Sequence, residues 1–158
     1  MNLTARLLSF AGGAPNLWGR LNALARRLKK EKPSPPTAQR ALGERAEQEA
    51  ARYLKKQGYT VLERNFRTPR GEIDLVAFKD GVVAFAEVRA RTEPVGLDEL
   101  STVTSTKQRR LIRAAHQYVA QYALDKENVL LRFDVLALRY APGGELLQLE
   151  HIVDAFHE

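Results

Sequence analysis

Residues 71–91 read GEIDLVAFKDGVVAFAEVRAR, and this stretch decides the fold. Two strand-like runs, Glu72–Lys79 and Val82–Arg89, flank Asp80-Gly81. Both turn residues tolerate positive φ, so the stretch predicts a hairpin with a two-residue turn. Register fixed at that turn sets Asp74 opposite Glu87 and Glu72 opposite Arg89. Side chains alternate with period two, so all four project from one face. Directly opposed Cβ atoms lie about 4.5–5.5 Å apart. Two ionised carboxylates at about 5 Å repel by roughly 3 kcal/mol at an effective dielectric near 20. The penalty vanishes if a divalent cation sits between them or one carboxyl keeps its proton. Hard oxygen donors favour Mg²⁺ or Mn²⁺ over zinc. Ile73, Leu75, Val76, Phe85 and Val88 surround the acids, so this reads as a buried strand pair in which unpaired charge is costly. The alternative is a surface hairpin whose charges splay into water.

Outward from the hairpin, the pattern is α-β-β-β-α-β-β. Residues 38–57 lack proline and repeat Leu42, Ala46, Ala50, Tyr53 and Leu54 at helical spacing, with Gly58 as the stop. A strand is expected over Tyr59–Glu63. A Ser/Thr-rich loop, 101–106, opens and caps a second helix from Lys107 to Ala123, with Leu111, Ala115, Tyr118, Val119 and Tyr122 on its apolar face. Val129–Leu138 and Glu145–Val153 read as strands around the turn Pro142-Gly143-Gly144. This order predicts an α/β architecture of the α+β kind, a mixed sheet flanked by helices.

Glu47 shares the i, i+4, i+7, i+11 stripe of Gly43, Ala50 and Leu54, and so faces the sheet, while Glu44 and Glu49 fall off that stripe. Lys107, four residues before Leu111, extends the apolar stripe of the second helix at its first turn. An inward acid and an inward base are candidate site residues, although such side chains often only snorkel.

The 158 residues allow one ordinary domain, 44% hydrophobic and 28% charged. No cysteine is present, which excludes disulfides, thiolate metal sites and cysteine nucleophiles and fits a cytoplasmic setting. No apolar run approaches the ~20 residues of a membrane helix. The net charge is +6, but residues 1–36 carry seven bases against Glu31 alone, so residues 37–158 are neutral. Residues 1–36 are therefore read as a basic, flexible extension ending in the linker Pro33, Pro35, Pro36, a solvated arm rather than a membrane anchor. Residues 37–158 are the folded domain. His116, His151 and His157 lack metal-ligand spacing, and no phosphate-cradling glycine motif occurs.

The run Leu42-Gly43, Glu47, Ala50, Tyr53-Leu54, Gly58-Tyr59, Arg64-Asn65, Gly71-Glu72-Ile73-Asp74-Leu75, Glu87-Val88-Arg89, Lys107-Gln108, Arg132-Phe133-Asp134 and Ala155-Phe156 resembles the YraN-like bacterial family. That family is similar to the PD-(D/E)XK nuclease superfamily, with its Holliday-junction-resolvase-like and restriction-type endonucleases. The resemblance implies a mixed sheet flanked by helices, with Glu47, Asp74 and Glu87 as site acids and the Val88 carbonyl as a further metal ligand. The superfamily lysine falls on Arg89, and Ala46 replaces the usual glycine. Arginine stays charged and is a poor base, but can orient a phosphate.

The expected activity is endonucleolytic hydrolysis of DNA with one or two Mg²⁺ or Mn²⁺ ions, on branched or single-stranded substrates, as in repair or recombination. Asp74, Glu87 and Glu47 would hold metal, Arg89 and Lys107 would neutralise transition-state charge, and Arg64, Arg67, Arg70, Arg109, Arg110 and Arg113 would grip phosphates. A homodimer is expected by analogy with resolvases. The competing readings are a non-catalytic nucleic-acid or protein-interaction module on the same fold, and a membrane-surface factor using residues 3–28. Asp134 matches the family motif but reads equally as a strand-end structural carboxylate.

Overall fold

A computed structural model describes residues 37–94, 102–124 and 129–157; the expectation of a flexible basic arm falls outside these residues. The elements are α1 (Ala38–Lys56), β1 (Thr60–Thr68), β2 (Gly71–Lys79), β3 (Val82–Thr92), α2 (Ser105–Tyr122), β4 (Leu130–Tyr140) and β5 (Leu146–Phe156). They form the expected α-β-β-β-α-β-β order, with a five-stranded mixed sheet ordered β1-β2-β3-β4-β5. Only β3 and β4 run parallel, from Val82↔Leu130 to Thr92↔Tyr140, with α2 in the crossover between them.

Local chemistry explains the element boundaries. Thr37 and Thr104 cap the two helices, each hydroxyl accepting the backbone N–H three residues on. Asp80 and Gly81 both take positive φ, 48° and 82°, as the hairpin turn requires. The central strand β3 is buried on both faces from Val83 to Glu87, which is why it reads as a continuous apolar run. One core lies between the sheet and α2 and is aromatic: Phe66, Phe85, Tyr118, Phe133 and Phe156 join Ile73 and Leu111. The other lies against α1 and is built from small and aliphatic residues, with Ala46, Ala50 and Leu54 against Leu75, Ala77, Ala86, Leu136 and Leu138.

Two sequence expectations need correction. The first strand runs to Thr68, five residues beyond Glu63. Asn65 interrupts it with φ 54°, between the rungs Arg64↔Leu75 and Phe66↔Ile73. Alternation breaks there, so Ile73 and Val76 both enter the α2 core while Leu75 and Ala77 enter the α1 core. A polar strand with a left-handed residue carries no period-two signal, which hid it.

The second correction concerns the hairpin. Its register holds from Lys79↔Val82 to Leu75↔Ala86 and stops there. The expected rungs Asp74–Glu87 and Glu72–Arg89 do not form. Past Leu75, β2 stays with β1 and β3 stays with β4, so the two strands fork. In place of a ladder bond, the Val88 N–H donates to Asp74 Oδ2 at 2.8 Å.

Asn65 accordingly separates a backbone role from a packing one. Replacing it with β-branched valine is expected to cost about 1–2 kcal/mol, because left-handed backbone penalises Cβ. Asn65→Gly should lose at least about 1 kcal/mol less than the valine variant, as read from chemical denaturation midpoints.

Candidate functional site

The fork between β2 and β3 opens into a cleft of about 830 Å³ roofed by the start of α1 and the first turn of α2. Its walls include Glu47, Glu72, Asp74, Glu87, Arg89 and Lys107, gathered from four elements. Five of these are the residues expected to carry chemistry, and Val88 also lines the cleft.

Glu87 is 5% exposed. Lys107 Nζ stands 3.3 Å from its Oε2, but the geometry leaves that oxygen buried without a proper hydrogen bond. Burial pushes the Glu87 carboxyl above its ordinary range, against the pull of Lys107 and Arg89. Burial likewise pushes Asp74 up to about 7; the Glu87 charge adds to the rise, and the Val88 N–H and Lys107 oppose it. A lone buried oxygen on a raised carboxyl, beside a second raised acid, is an unusual arrangement for a merely structural pair. Thr104 fixes the position of Lys107 by capping the helix through the Lys107 N–H.

Glu47 reaches the same cleft from α1. Its Oε2 accepts the Asn65 Nδ2–H at 2.8 Å, and Arg64 Nη2 lies 4.0 Å away. Asn65 therefore has a second role: its left-handed backbone aims the amide at a site acid. It belongs to the quoted sequence motif, but nothing in its position along the chain revealed the contact. Among the described residues, no three of the His, Asp and Glu side chains stand close enough to form a ready-made ion-binding group. Glu47 shares the cleft with Asp74 and Glu87 without closing a triad around one point. The donor set still suits a hard divalent cation, since buried Glu87 and partly buried Asp74 face one cleft and Glu87 Oε2 makes no well-formed hydrogen bond.

The expected arginines divide. Arg67, Arg70 and Arg110 line a second cleft of about 400 Å³ that shares Glu72 and Lys107 with the first. Arg64 stands beside Glu47. Arg109 and Arg113 are exposed and line neither cleft.

Two further acids depart from expectation. Glu49 is turned inward rather than off the stripe: its Oε2 accepts the Tyr140 hydroxyl at 2.6 Å, so the inward face of α1 is wider than the spacing implied. Asp134 lies mid-strand, not at a strand end, and is fully buried. It accepts from both Arg132 Nε and Nη2, contacts His151 Nε2 at 2.8 Å, and accepts the Asp154 N–H. Burial alone would raise its pKa, but His151, Arg132 and the Asp154 N–H outweigh it and hold it below the ordinary value. Asp134 is thus a structural clasp of β4 and β5, outside both clefts.

The family model described as "Uncharacterised protein family UPF0102" matches residues 46–138, which span α1 to β4 and every wall of the acid cleft except its outer helix turn. The chain belongs to this family. A UPF0102 protein of Chloroflexus aurantiacus is 42% identical over 123 residues, covering 78% of this chain and 98% of its own. One from Pelotomaculum thermopropionicum is 42% identical over 120 residues, covering 75% and 98%. One from Clostridium perfringens is 36% identical over 117 residues, covering 74% and 94%. The UPF0102 match thus runs from within α1 to within β4.

The buried acids make stability depend on pH. Below about pH 4 Asp74 is protonated in both states. As pH rises toward about 7, the unfolded chain has lost a proton that the folded one keeps, so stability falls and stays lower above that range. Asp74→Asn removes this dependence and still offers an acceptor to Val88. Without divalent ions, the variant should be more stable than the parent at pH 8 by about 1–3 kcal/mol, and the gap should close toward pH 5, as followed by thermal denaturation.

Proposed function

We propose that this UPF0102 protein is a metal-dependent endonuclease that hydrolyses phosphodiester bonds in DNA. One observation carries the reading: Asp74 and Glu87, both with raised pKa values, line a cleft together with Lys107, which stands 3.3 Å from Glu87 Oε2, an arginine and a third acid. Such a group suits binding of a phosphate through a hard cation rather than a neutral ligand. The sequence resemblance to PD-(D/E)XK nucleases, carried by these same acids, points to the same chemistry.

Asp74 and Glu87 would hold Mg²⁺ or Mn²⁺, with Glu47 as a further donor and the Val88 carbonyl available beside them. When bound, the ion supplies charge neutralisation at the phosphate and a water of lowered pKa. Lys107 and Arg89 bring fixed positive charge to the cleft, where it orients the phosphate and offsets charge that develops on its oxygens. Arginine is a poor general base, so the role of Arg89 is electrostatic rather than basic. Burial around Glu87 strengthens these interactions relative to open water.

Arg89 in the lysine position favours a second reading, a nucleic-acid-binding module without chemistry. A screen of single-stranded, duplex, flap and four-way DNA with Mn²⁺ separates the two. The nuclease reading expects cleavage by the parent chain. It also expects loss in Asp74→Asn and Glu87→Gln greater than the roughly 10–100-fold cost of losing an outer-shell metal partner, with DNA binding retained. Arg89→Ala should lower kcat by about 100- to 1,000-fold, the scale for one transition-state donor. Equal cleavage by the parent and the Asp74 variant refutes the assignment. Tight binding with no cleavage of any substrate leaves the module.

A further inference from the structure

The second cleft has a built character that scattered surface arginines lack. It is formed by the β1–β2 turn on one side and α2 on the other, and it holds Arg67, Arg70, Arg110 and Lys107 against the single carboxylate of Glu72. The turn is pinned internally. Thr68 Oγ1 accepts the N–H groups of Arg70 and Gly71, both at 3.1 Å, and donates to the Gly71 carbonyl at 3.0 Å. The turn is also seated tightly on the helix: a Cβ at Gly71 would come within 2.5 Å of the Arg110 carbonyl oxygen. Only glycine permits this approach, so the backbone that carries the turn cations is held against α2.

Glu72 occupies the middle of this cluster. Its Oε2 lies 3.7 Å from Arg67 Nε and its Oε1 lies 3.8 Å from Lys107 Nζ. Both pairs are long and half-exposed, the kind that contribute little to stability and exchange readily for a better anion. Glu72 and Lys107 also line the acid cleft, so the two clefts adjoin at these residues.

We propose that the turn cleft is a dedicated subsite for one backbone phosphate of a nucleic-acid strand, next to the phosphate in the acid cleft, and that Glu72 occupies its cations until the strand arrives. This rests on the nucleic-acid reading above and adds to it which cations act together and which carboxylate opposes them. A phosphate there displaces Glu72 from Arg67 and Lys107 and takes over both ion pairs. Lys107 is thereby shared between the subsite and Glu87, which ties binding in the turn cleft to the charge balance of the acid cleft.

The test is fluorescence anisotropy of labelled single-stranded and duplex oligonucleotides with the full chain, in EDTA, across a salt series. Arg70→Ala and Arg110→Ala should each reduce the magnitude of the log–log salt slope by about 0.7 on single strands and about 0.9 on duplex. Glu72→Gln should tighten binding about two- to fivefold, the range of an exposed ion-pair partner removed. Arg52→Ala, exposed on α1 and outside both clefts, is the control and should leave the slope unchanged. Thermal midpoints verify that each variant is folded. Unchanged slopes for Arg70 and Arg110 variants, or an equal drop for the Arg52 variant, overturn the subsite while leaving Mn²⁺-dependent cleavage by the parent chain intact. No gain for Glu72→Gln overturns the place-holder. No binding by the parent chain at low salt overturns the subsite together with the nucleic-acid reading.

Discussion

Two carboxyl groups at the point where β2 and β3 separate are the constraint around which this domain is arranged. A continued ladder would have set Asp74 and Glu87 against each other as directly opposed neighbours in a largely buried strand pair. Instead the ladder ends at Leu75↔Ala86, and the Asp74 side chain takes over the Val88 N–H that an ordinary rung would have satisfied. Parting the strands opens a cleft between the two acids, whose charges still oppose each other across it. What remains is charge taken out of water with incomplete compensation, visible in the raised pKa values of both acids and in the unsatisfied Glu87 oxygen.

The surrounding structure holds that fork open. β3 continues past it only because β4 pairs with it in parallel along its full length to Thr92. β2 continues because β1 accompanies it, with left-handed Asn65 absorbing the change in strand alternation and turning its amide to Glu47. From opposite faces of the sheet, the capped first turn of α2 delivers Lys107 to Glu87, and the small-residue face of α1 delivers Glu47. Each site residue is thus supported by an element whose own reason for existing is packing or capping.

Asp134 provides the internal contrast. It is more completely buried than either cleft acid, yet its carboxyl is held below the ordinary pKa because a guanidinium, an imidazole and a backbone N–H converge on it. A buried acid with all its oxygens satisfied fastens strands; a buried acid with a bare oxygen in a cleft is available to a ligand. Asp134 pairs with Ala86, beside the fork itself, so neighbouring acids of one sheet serve opposite ends, and the difference lies in the partners rather than in depth.

The sequence by itself determined what local chemistry controls. The Asp80-Gly81 turn, the two amphipathic helices, the element order and the inward stripes carrying Glu47 and Lys107 follow from backbone preference and hydrophobic period, which act within a few residues. Tertiary structure alone decided what depends on partners distant along the chain. The fork arises because β1 and β4 compete with the hairpin for its strands. The inward turn of Glu49 depends on Tyr140 and the clasp of Asp134 on His151, while the division of the arginines depends on how closely the turn at Gly71 seats on α2. Such contacts join residues tens of positions apart, and no periodicity in the chain encodes which distant group a polar side chain will meet.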